Sequence, residues 1–489
     1  MSDPMSAPVI TTASGAVRGR TGPDHRVFYG IPYAAPPQGR TRFTAPEPHE
    51  PWPGVRDATT PGPTAPQPRR GGFGRLDMSP FFGPGWVRHP DYLTADVWAP
   101  RTDAARRHPV MVFVHGGGFV SGSTRSPLYD GSAFARDGVV LVTVTYRLGL
   151  TGFLDIAGAP RNRGMLDVLA ALRWVRENIA AFGGDPDNVT LFGQSAGATL
   201  TAGVLTEPQA RQLIRRAIIQ SGNPYGTFTA EQAARVAHKA AEVLGIDPVL
   251  DDFARIPDER LTGVVAELAG LDLRTADRFD PLVGLSPFSL VADGQPAADA
   301  HPDLGVLIGT TSEEGNLYLV PQGQFASSTA EDVRALAARV HTDPDALVWR
   351  YLDRDPDAGW GRLRSQILGD ALFGTGSERF ALGRQGPTYR YEFRWRSMAV
   401  DGLLGAAHAM ELPFVFDCVD KAVLRGPDAL LGPGDVPQAL ADEMHGAWVS
   451  FATTGDPGWD PGEVRRFAEI ATRDRKRADL VPDGNLGER

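Results

Sequence analysis

Short apolar runs alternate with helix-like segments through the middle of this chain, and this alternation limits what the chain can fold into. The runs are rich in Val, Ile and Leu, which is typical of strands buried on both faces. They span residues 110–114, 139–146, 189–192, 217–220 and 306–309. The clearest helical pattern runs from Leu166 to Phe182 and is ended by Gly183 and Gly184. The alternation predicts an α/β fold, with a large and mostly parallel central sheet covered by helices on both faces.

We interpret residues 1–489 as a single domain, because a chain with 42% hydrophobic residues can bury one large core. The first hundred residues carry many prolines and glycines, so the N-terminal region is expected to be irregular. Two later regions, 226–290 and 320–385, are predicted to be helical insertions that line a pocket. The last residues, 476–489, are predicted to form a flexible tail.

Residues 60–90 are predicted to form a long surface loop, since prolines and glycines interrupt every periodic pattern there. This loop is either an irregular cover or a lid at the rim of a site. Three aromatic residues, Phe81, Phe82 and Trp86, slightly favour the lid because a solvated loop seldom carries them.

The charge balance and the cysteine content disfavour several classes of function. The formal net charge is −10, so the chain lacks the basic surplus that binds nucleic acids and anionic membranes. We expect a monomer with a small-molecule substrate and with no nucleic-acid or membrane partner. The single cysteine, Cys418, excludes a disulfide within the chain. Because no stretch resembles a signal peptide or a membrane span, the sequence favours the cytoplasm.

One serine stands where an apolar run meets a helix-like run. The stretch N-V-T-L-F-G-Q-S-A-G-A-T-L places Ser195 between Gly193 and Gly197. A nucleophile elbow needs a strand that stops, a residue in a strained turn, and glycines that let the backbone fold back. The competing interpretation is a serine that caps a helix in a glycine-rich turn. The sequence context favours the nucleophile.

A triple glycine follows another of the apolar runs. His115-Gly116-Gly117-Gly118-Phe119 comes directly after V-M-V-F-V. Glycines at a strand end allow backbone N–H groups to turn toward one point, where they stabilise an oxyanion. The alternative is a flexible turn, but the bulky residues on both sides indicate an anchored loop.

A serine nucleophile needs a base, and His408 is the best candidate for this role. It lies among small residues in G-A-A-H-A-M-E-L-P-F-V-F, beside an apolar run. A histidine in such a place is often a buried core residue, and together with Glu411 it also suggests a metal site. The sequence has no His-Glu-x-x-His pattern and shows no further ligand, so we expect no metal.

The acid that orients the base is left open by the residues themselves. The run G-V-L-I-G-T-T-S-E-E-G-N ends a predicted strand and presents Glu313 and Glu314 in the loop that follows. Spacing does not choose between them, and Asp293 and Asp370 are further candidates. The order serine, carboxylate, histidine along the chain is the order expected of an α/β-hydrolase.

Taken together, these motifs resemble the type B carboxylesterase/lipase family, which includes bacterial para-nitrobenzyl esterases and cholinesterases. The resemblance spans nearly the whole chain. It includes Y-G-I-P-Y-A-A-P-P-Q-G-R-T-R-F, H-G-G-G-F-V-S-G-S, N-I-A-A-F-G-G-D-P-D-N-V-T-L-F-G-Q-S-A-G-A and H-A-M-E-L-P-F-V-F. It implies an α/β-hydrolase fold and an esterase that needs no cofactor.

Carried over position by position, the resemblance implies a role for each site residue. Ser195 would be the nucleophile, His408 the base, and Glu314 the acid in preference to Glu313. The oxyanion donors would be the N–H groups of three residues, Gly117, Gly118 and Ala196. Buried ion pairs of the family would involve Arg42 and the pair formed by Arg147 and Asp167.

The sequence departs from the family pattern at three places. Pro90-Asp91-Tyr92-Leu93 replaces an acidic-acidic-Cys-Leu signature, which removes the cysteine of a disulfide loop and the acidic partner expected for Arg42. The loop must therefore be held differently. Gln194 stands where cholinesterases carry glutamate, which argues against choline esters. Trp86 lies in the region of an aromatic cation-binding wall but at another spacing, so that role is not transferred.

The sequence therefore predicts a carboxylic-ester hydrolase that acts through an acyl-enzyme on neutral and apolar esters. An aryl carbamate or amide hydrolase that uses the same site is the alternative. A non-catalytic binding protein on the same fold is disfavoured, since no member of the expected triad is missing.

Overall fold

The computed structural model describes residues 7–101 and 107–468, so the predicted tail at 476–489 lies outside the described residues. The strands in chain order are β1 (Val9–Thr12), β2 (Gly15–Arg18), β3 (Arg20–Thr21), β4 (His25–Pro32), β5 (Val55–Asp57), β6 (Gly72–Phe73), β7 (Leu76–Asp77), β8 (Thr94–Pro100), β9 (His108–Val114), β10 (Val140–Val144), β11 (Gly184–Gln194), β12 (Arg216–Gln220), β13 (Gly305–Thr311), β14 (Thr388–Phe393) and β15 (Val464–Phe467).

The α-helices are α1 (Ser79–Phe82), α2 (Ser132–Arg136), α3 (Gly149–Phe153), α4 (Arg163–Asn178), α5 (Ala196–Val204), α6 (Ala210–Leu213), α7 (Ala230–Leu244), α8 (Leu250–Arg255), α9 (Asp258–Glu267), α10 (Pro296–Asp299), α11 (Asn316–Leu319), α12 (Gln324–Ser327), α13 (Ala330–Val340), α14 (Pro344–Arg354), α15 (Trp360–Gly369), α16 (Thr375–Gly383), α17 (Leu412–Val415) and α18 (Gln438–Thr454). Short 3₁₀ helices span Gly39–Phe43, Pro127–Tyr129, Ile179–Phe182 and Ala422–Leu424, and a π-helix spans Asp370–Gly374.

A ten-stranded sheet forms the centre of the molecule. Its strand order is β15-β14-β13-β12-β11-β9-β10-β8-β4-β3. The strands from β15 to β10 pair in parallel, and β8, β4 and β3 add an antiparallel edge. The predicted α/β fold with a mostly parallel central sheet is therefore confirmed.

The five strands predicted from apolar runs are the middle of this sheet, β9 to β13. Every residue of the five apolar runs is buried, because helices cover both faces of a parallel sheet. The helical pattern predicted from Leu166 starts slightly earlier, at Arg163, as α4. It continues as a 3₁₀ turn to Phe182, where Gly183 ends it with φ +92°.

The carboxyl ends of the parallel strands bring the predicted site together. The glycine loop follows β9, Ser195 follows β11, and Glu314 lies three residues after β13. Because these strands are parallel, their carboxyl ends lie along one edge of the sheet, where α/β folds place their ligands. His408 comes from an irregular segment that follows β14.

Two buried arginines are held by carboxylates. Arg147 donates from Nε to Asp167 Oδ2 at 2.8 Å and from Nη2 to Asp167 Oδ1 at 2.6 Å, and both side chains are at most 1% exposed. Arg42, which lacks the acidic partner of the family signature, pairs instead with Asp258 at the start of α9. It also donates to the carbonyl of Ala254 at 2.8 Å.

Asp167→Asn is expected to lower the free energy of unfolding by about 3–5 kcal/mol, because it leaves the Arg147 cation buried without its carboxylate. Chemical denaturation followed by tryptophan fluorescence measures this loss. Asp187→Asn is the matched control, since Asp187 pairs with Arg176 at the surface, and its expected cost is under about 1 kcal/mol. Similar costs for both variants would contradict the prediction.

The segment from 60 to 90 is largely irregular, as expected, but it packs closely against the body. It contains the two-residue strands β6 and β7 and the single turn α1, which buries Phe81 and Phe82. The Gln67 side chain donates to the carbonyl of Gly122 at 2.9 Å and accepts from its N–H at 2.8 Å. These hydrogen bonds hold the loop without the disulfide of the family. A lid function for the segment stays a prediction.

The two regions predicted to be insertions are rich in helix. Helices α7, α8 and α9 lie within 226–290, and α12 to α16 lie within 320–385. The helix pair α15 and α16 is joined by the π-helix at Asp370–Gly374, so the three form one continuous helical segment. None of the helices described for this chain combines the length and the apolar character of a bilayer span.

Candidate active site

Ser195 occupies a strained turn between β11 and α5. Its φ of +57° and ψ of −124° are unfavourable for a residue with a Cβ atom. The turn is tight enough to exclude side chains on both sides. A Cβ on Gly193 would overlap the backbone of Gly197, and a Cβ on Gly197 would overlap the carbonyl oxygen of Val114. The local geometry is therefore that of a nucleophile elbow.

The glycine loop after β9 lies against this elbow. A Cβ on Gly116 would lie 3.0 Å from the Ser195 Cβ atom, so the two turns are in direct contact. Gly117 and Gly118 have φ values of +119° and +66°. These conformations favour glycine, since a residue with a Cβ atom rarely adopts them. The Ser286 hydroxyl donates to the carbonyl of Gly118 at 2.7 Å and anchors the loop from the 226–290 region.

His115 is part of this loop and not a base. Its ring stacks on Tyr146 with centroids 4.6 Å apart, and its Nδ1 donates to the carbonyl of Gly116 at 2.8 Å. Burial lowers the pKa of His115 to about 4, so the ring is neutral at physiological pH. Its role is to hold the loop.

His408 lies beside the elbow and is paired with Glu314. Its Nδ1 lies 2.6 Å from Glu314 Oε2, and both side chains are 4% exposed. The other carboxylate oxygen, Oε1, accepts from the Ser221 hydroxyl at 2.6 Å and from the Thr311 N–H at 2.7 Å. These donors fix the carboxylate so that one oxygen faces the imidazole.

The other candidate acids point elsewhere. Glu313 pairs with Arg396 at the surface and accepts from the N–H of Ala406 at 2.9 Å. Asp370 accepts from the hydroxyl of Tyr351 at 2.9 Å, and Asp293 is exposed.

The Nε2 atom of His408 faces the elbow. It lies 3.2 Å from Nε2 of Gln194, the residue before the serine. Because Nδ1–H donates to Glu314, Nε2 carries the lone pair and accepts from the Gln194 amide. This tautomer is the one in which His408 accepts a proton from the direction of Ser195.

Aromatic rings fix the plane of the imidazole. The ring of Phe373 stacks on His408 with centroids 4.3 Å apart and an angle of 10° between the planes. Tyr318 lies on the same histidine at 5.9 Å. Phe373 belongs to the π-helix. A π-helical turn is wider than an α-helical one, and such turns are frequent at functional sites.

Glu411, considered above with His408 as a metal-ligand pair, lies in a different environment. Its Oε1 accepts from Gln220 Nε2 at 3.2 Å. Burial, with the nearby charge of Glu314 as a smaller cause, raises the pKa of Glu411 to about 8. Within residues 7–101 and 107–468, no group of three or more His, Cys, Asp and Glu side chains is arranged to hold a metal ion.

The raised pKa of Glu411 predicts a pH-dependent effect of Glu411→Gln. An unfolded glutamate has a pKa of about 4.3, so between about pH 4.3 and 8 the folded chain retains a proton that the unfolded chain has lost. The contribution of Glu411 to stability is complete below this range and is lost as pH rises through it. Glutamine does not titrate. The free energy of unfolding of the variant, relative to that of the wild type, should therefore rise by about 4 kcal/mol between pH 5 and pH 8.

Urea denaturation midpoints near pH 5, 6.5 and 8 measure this difference. Glu242→Gln is the control, because Glu242 is an exposed residue that pairs with Lys239 on α7. A difference between Glu411→Gln and the wild type that stays constant with pH would refute the prediction.

Several residues of the site were not identified from the sequence. Ser221 follows β12 as Ser195 follows β11, and its position at a strand end was the available signal. Phe373 carried no signal, because it lies within a helical region and reaches His408 only through the π-helix. The contact between Gln194 and His408 depends on residues 214 positions apart.

Comparisons with known proteins identify the family of this chain. The model of the Carboxylesterase family matches residues 6–477. The para-nitrobenzyl esterase of Bacillus subtilis (strain 168) is 36% identical over 469 residues, which cover 93% of this chain and 91% of that protein. The phenmedipham hydrolase of Pseudarthrobacter oxydans is 35% identical over 472 residues, which cover 93% and 92%.

The similarity extends to solved structures. A thermophilic PNB esterase superposes with a TM-score of 0.78 at 34% identity, covering 93% of this chain and 92% of that chain. A second PNB esterase structure gives a TM-score of 0.77, also at 34% identity and the same coverage. Because the family model spans nearly the whole chain and these relatives cover it throughout, the chain belongs to the carboxylesterase family and is a carboxylesterase with the α/β-hydrolase fold.

Proposed function

We propose that this carboxylesterase hydrolyses its substrates through a triad of Ser195, His408 and Glu314, by way of an acyl-enzyme. The observation that carries the proposal is the position of the His408 ring, with Nδ1 at 2.6 Å from Glu314 and Nε2 facing the elbow. A carboxylate, an imidazole and a serine in this order are the groups that acyl transfer requires.

The first step forms the acyl-enzyme. The Ser195 hydroxyl displaces the Gln194 amide from His408 Nε2 and attacks the ester carbonyl carbon as Nε2 takes its proton. Glu314 keeps the imidazole in the required tautomer and stabilises the positive charge that develops on it. The tetrahedral intermediate then collapses, and the alcohol leaves with the proton from Nε2.

The oxyanion of this intermediate is bound by the N–H groups of Gly117, Gly118 and Ala196. Ala196 is the first residue of α5, where a helix leaves its N–H groups without intrahelical partners. Gly117 and Gly118 supply donors from the opposite side of the same contact between the two turns. Each donor of this kind contributes about a hundred- to a thousandfold to the rate.

The second step releases the acid. Water enters beside His408, gives a proton to Nε2 and attacks the acyl carbonyl, and Ser195 leaves with that proton. The proposed substrates are neutral and apolar esters, since the rings of Tyr318 and Phe373 pack against His408 and give the site apolar surface.

Labelling with a fluorophosphonate tests the proposed nucleophile. The reagent reacts with an activated serine, so we expect one equivalent of label on the peptide that contains Ser195 and a parallel loss of p-nitrophenyl ester hydrolysis. Heat-denatured protein is the control, because activation requires the folded triad. Hydrolysis that survives complete labelling, or a label on another residue, would refute the assignment.

Hydrolysis of aryl carbamates is the second candidate function. A relative that is 35% identical is a hydrolase of the carbamate phenmedipham, and the same three side chains suit this bond if His408 protonates the leaving group. Rates for an aryl ester, its matched carbamate and its matched anilide distinguish the two functions. A kcat/KM for the carbamate above that for the ester would favour carbamates.

A further inference from the structure

Arg70 is a cation near the glycine loop that forms no ion pair with a carboxylate of the described residues. It lies in the 60–90 segment and is partly buried. Arg42, Arg147 and Arg396 each have a carboxylate partner. Among the residues that the structure describes, no carboxylate forms an ion pair with Arg70, and a single long hydrogen bond of 3.4 Å joins its Nη1 to the Ser121 hydroxyl.

The surroundings of Arg70 are mostly apolar. Its guanidinium carbon lies 5.3 Å from the centre of the Phe73 ring and 4.8 Å from the centre of the Phe82 ring. These cation–π contacts offset part of the cost of removing the cation from water. Burial nevertheless lowers the pKa of Arg70, which indicates that the charge is not fully compensated.

Arg70 is connected to both halves of the proposed catalytic machinery. Ser121, which it contacts, donates at 3.1 Å to the carbonyl of Gly117 in the glycine loop at 116–118, which holds two of the proposed oxyanion donors and is called the oxyanion loop below. On the other side, the Phe73 ring packs against Tyr318 at 5.9 Å, and Tyr318 lies at 5.9 Å from His408. One side chain therefore separates Arg70 from the oxyanion loop, and two rings separate it from the base.

The negative charges around the site are already committed. Glu314 is paired with His408, Glu313 with Arg396, and Glu411 is held in its protonated form up to about pH 8. The residue before the nucleophile is the neutral Gln194 and not a carboxylate. These three carboxyl groups would therefore add little repulsion to an anionic group of a substrate near Arg70.

We infer that Arg70 forms a subsite for a carboxylate carried by the ester substrate, so that this enzyme accepts, in addition to the neutral esters proposed above, esters with an acidic group a few bonds from the scissile carbonyl. A guanidinium offers a planar pair of N–H donors that matches a carboxylate. The inference rests on the proposed function, because it places the carboxylate relative to the serine and the oxyanion loop.

Matched ester pairs test the subsite. The first pair, mono-p-nitrophenyl adipate and p-nitrophenyl hexanoate, differs by a carboxylate on a six-carbon acyl chain. The second pair, the hexanoates of 4-hydroxybenzoate and 4-hydroxybenzamide, differs by a carboxylate on the leaving group. The measured quantity is the ratio of kcat/KM for the anionic ester to that for the neutral ester.

Arg70→Gln is expected to lower this ratio by about ten- to a hundredfold in at least one pair, as loss of a charge-assisted hydrogen bond does. Arg69→Gln is the matched control, because Arg69 is the exposed neighbour in the same loop, and its ratio should stay at the wild-type value. Arg70→Lys keeps the charge but not the paired donors, so its ratio is expected to fall below the wild-type value, and this variant carries the test if Arg70→Gln does not fold.

The outcomes separate the two proposals. A wild-type enzyme that hydrolyses none of the four esters would overturn the proposed function itself. If the wild type hydrolyses the neutral esters but Arg70→Gln keeps the wild-type ratio in both pairs, the subsite is refuted. Equal losses on anionic and neutral esters would also refute it, because they would show that Arg70 only supports the loop.

Discussion

Ser195→Ala is expected to lower kcat/KM for p-nitrophenyl esters by about 10⁴- to 10⁶-fold. The variant keeps the glycine loop and the imidazole but removes the hydroxyl oxygen that we propose forms the acyl-enzyme. The residual activity would come from direct attack by water, with the oxyanion still stabilised by the proposed backbone N–H donors. Steady-state hydrolysis, with a limit of detection low enough to exclude wild-type carry-over, measures the loss.

The fold of Ser195→Ala should be intact, since alanine and serine have the same Cβ atom at a φ of +57°. Near-ultraviolet circular dichroism checks this. Ser327→Ala is the matched control, because Ser327 is exposed on α12 and its hydroxyl only bonds within its own helix end. A Ser195→Ala variant that retains more than a tenth of the wild-type kcat/KM would end the case for a serine nucleophile.

Glu314→Gln is expected to lower kcat by about 10⁴-fold. The Ser221 hydroxyl and the Thr311 N–H both donate to Oε1, so the amide oxygen takes that position in the variant. The amide nitrogen then faces His408 Nδ1 and donates to it, which moves the ring proton to Nε2. In that tautomer His408 no longer accepts a proton from Ser195.

Glu313→Gln is the matched control for Glu314→Gln. The two residues are adjacent, but Glu313 pairs with Arg396 and with the N–H of Ala406. The expected loss in kcat is under about tenfold, since the pair with Arg396 is partly exposed and weak. Stopped-flow or steady-state rates for both variants give the comparison. A greater loss in Glu313→Gln than in Glu314→Gln would reverse the assignment of the acid.

Much of the fold was predictable, because its signals are local. Apolar runs followed by glycines identified β9 and β11 together with the turns after them, since a buried strand and a tight turn each impose requirements on consecutive residues. The glycines at 193 and 197 are needed because backbone atoms approach at van der Waals limits. The predicted monomer and the cytoplasmic location stay predictions.

The choice between Glu313 and Glu314 could not be made from the spacing of residues along the chain. Glu313 and Glu314 are adjacent and chemically identical, so spacing along the chain left both open. In the folded chain one side chain turns outward to Arg396 and the other turns inward to His408. The partner of Glu313 lies 83 residues away along the chain, and that of Glu314 lies 94 residues away. A pattern within a short stretch of sequence cannot identify partners at such distances.

The carboxylate that pairs with Arg42 also could not be identified from the sequence. The departure at Pro90-Asp91 showed that the acidic partner of the family was missing, but it did not show what replaced it. Asp258 does so from α9, 216 residues further along the chain, and Asp91 pairs with Arg56.

The sequence by itself determined the alternation of five buried strands with helices, the strained turn at Ser195 and the glycine loop at 116–118, because these follow from backbone sterics and from burial within short stretches. Spacing left Glu313 and Glu314 open, and the family resemblance implied Glu314. The tertiary structure alone showed the contact between Glu314 and His408, the stacking of Phe373 on this histidine, and the position of Arg70 near the glycine loop with no carboxylate partner among the described residues. The physical reason is that hydrogen bonds, ring stacking and ion pairs depend on distances in space, and the sheet brings together side chains from segments far apart in the chain.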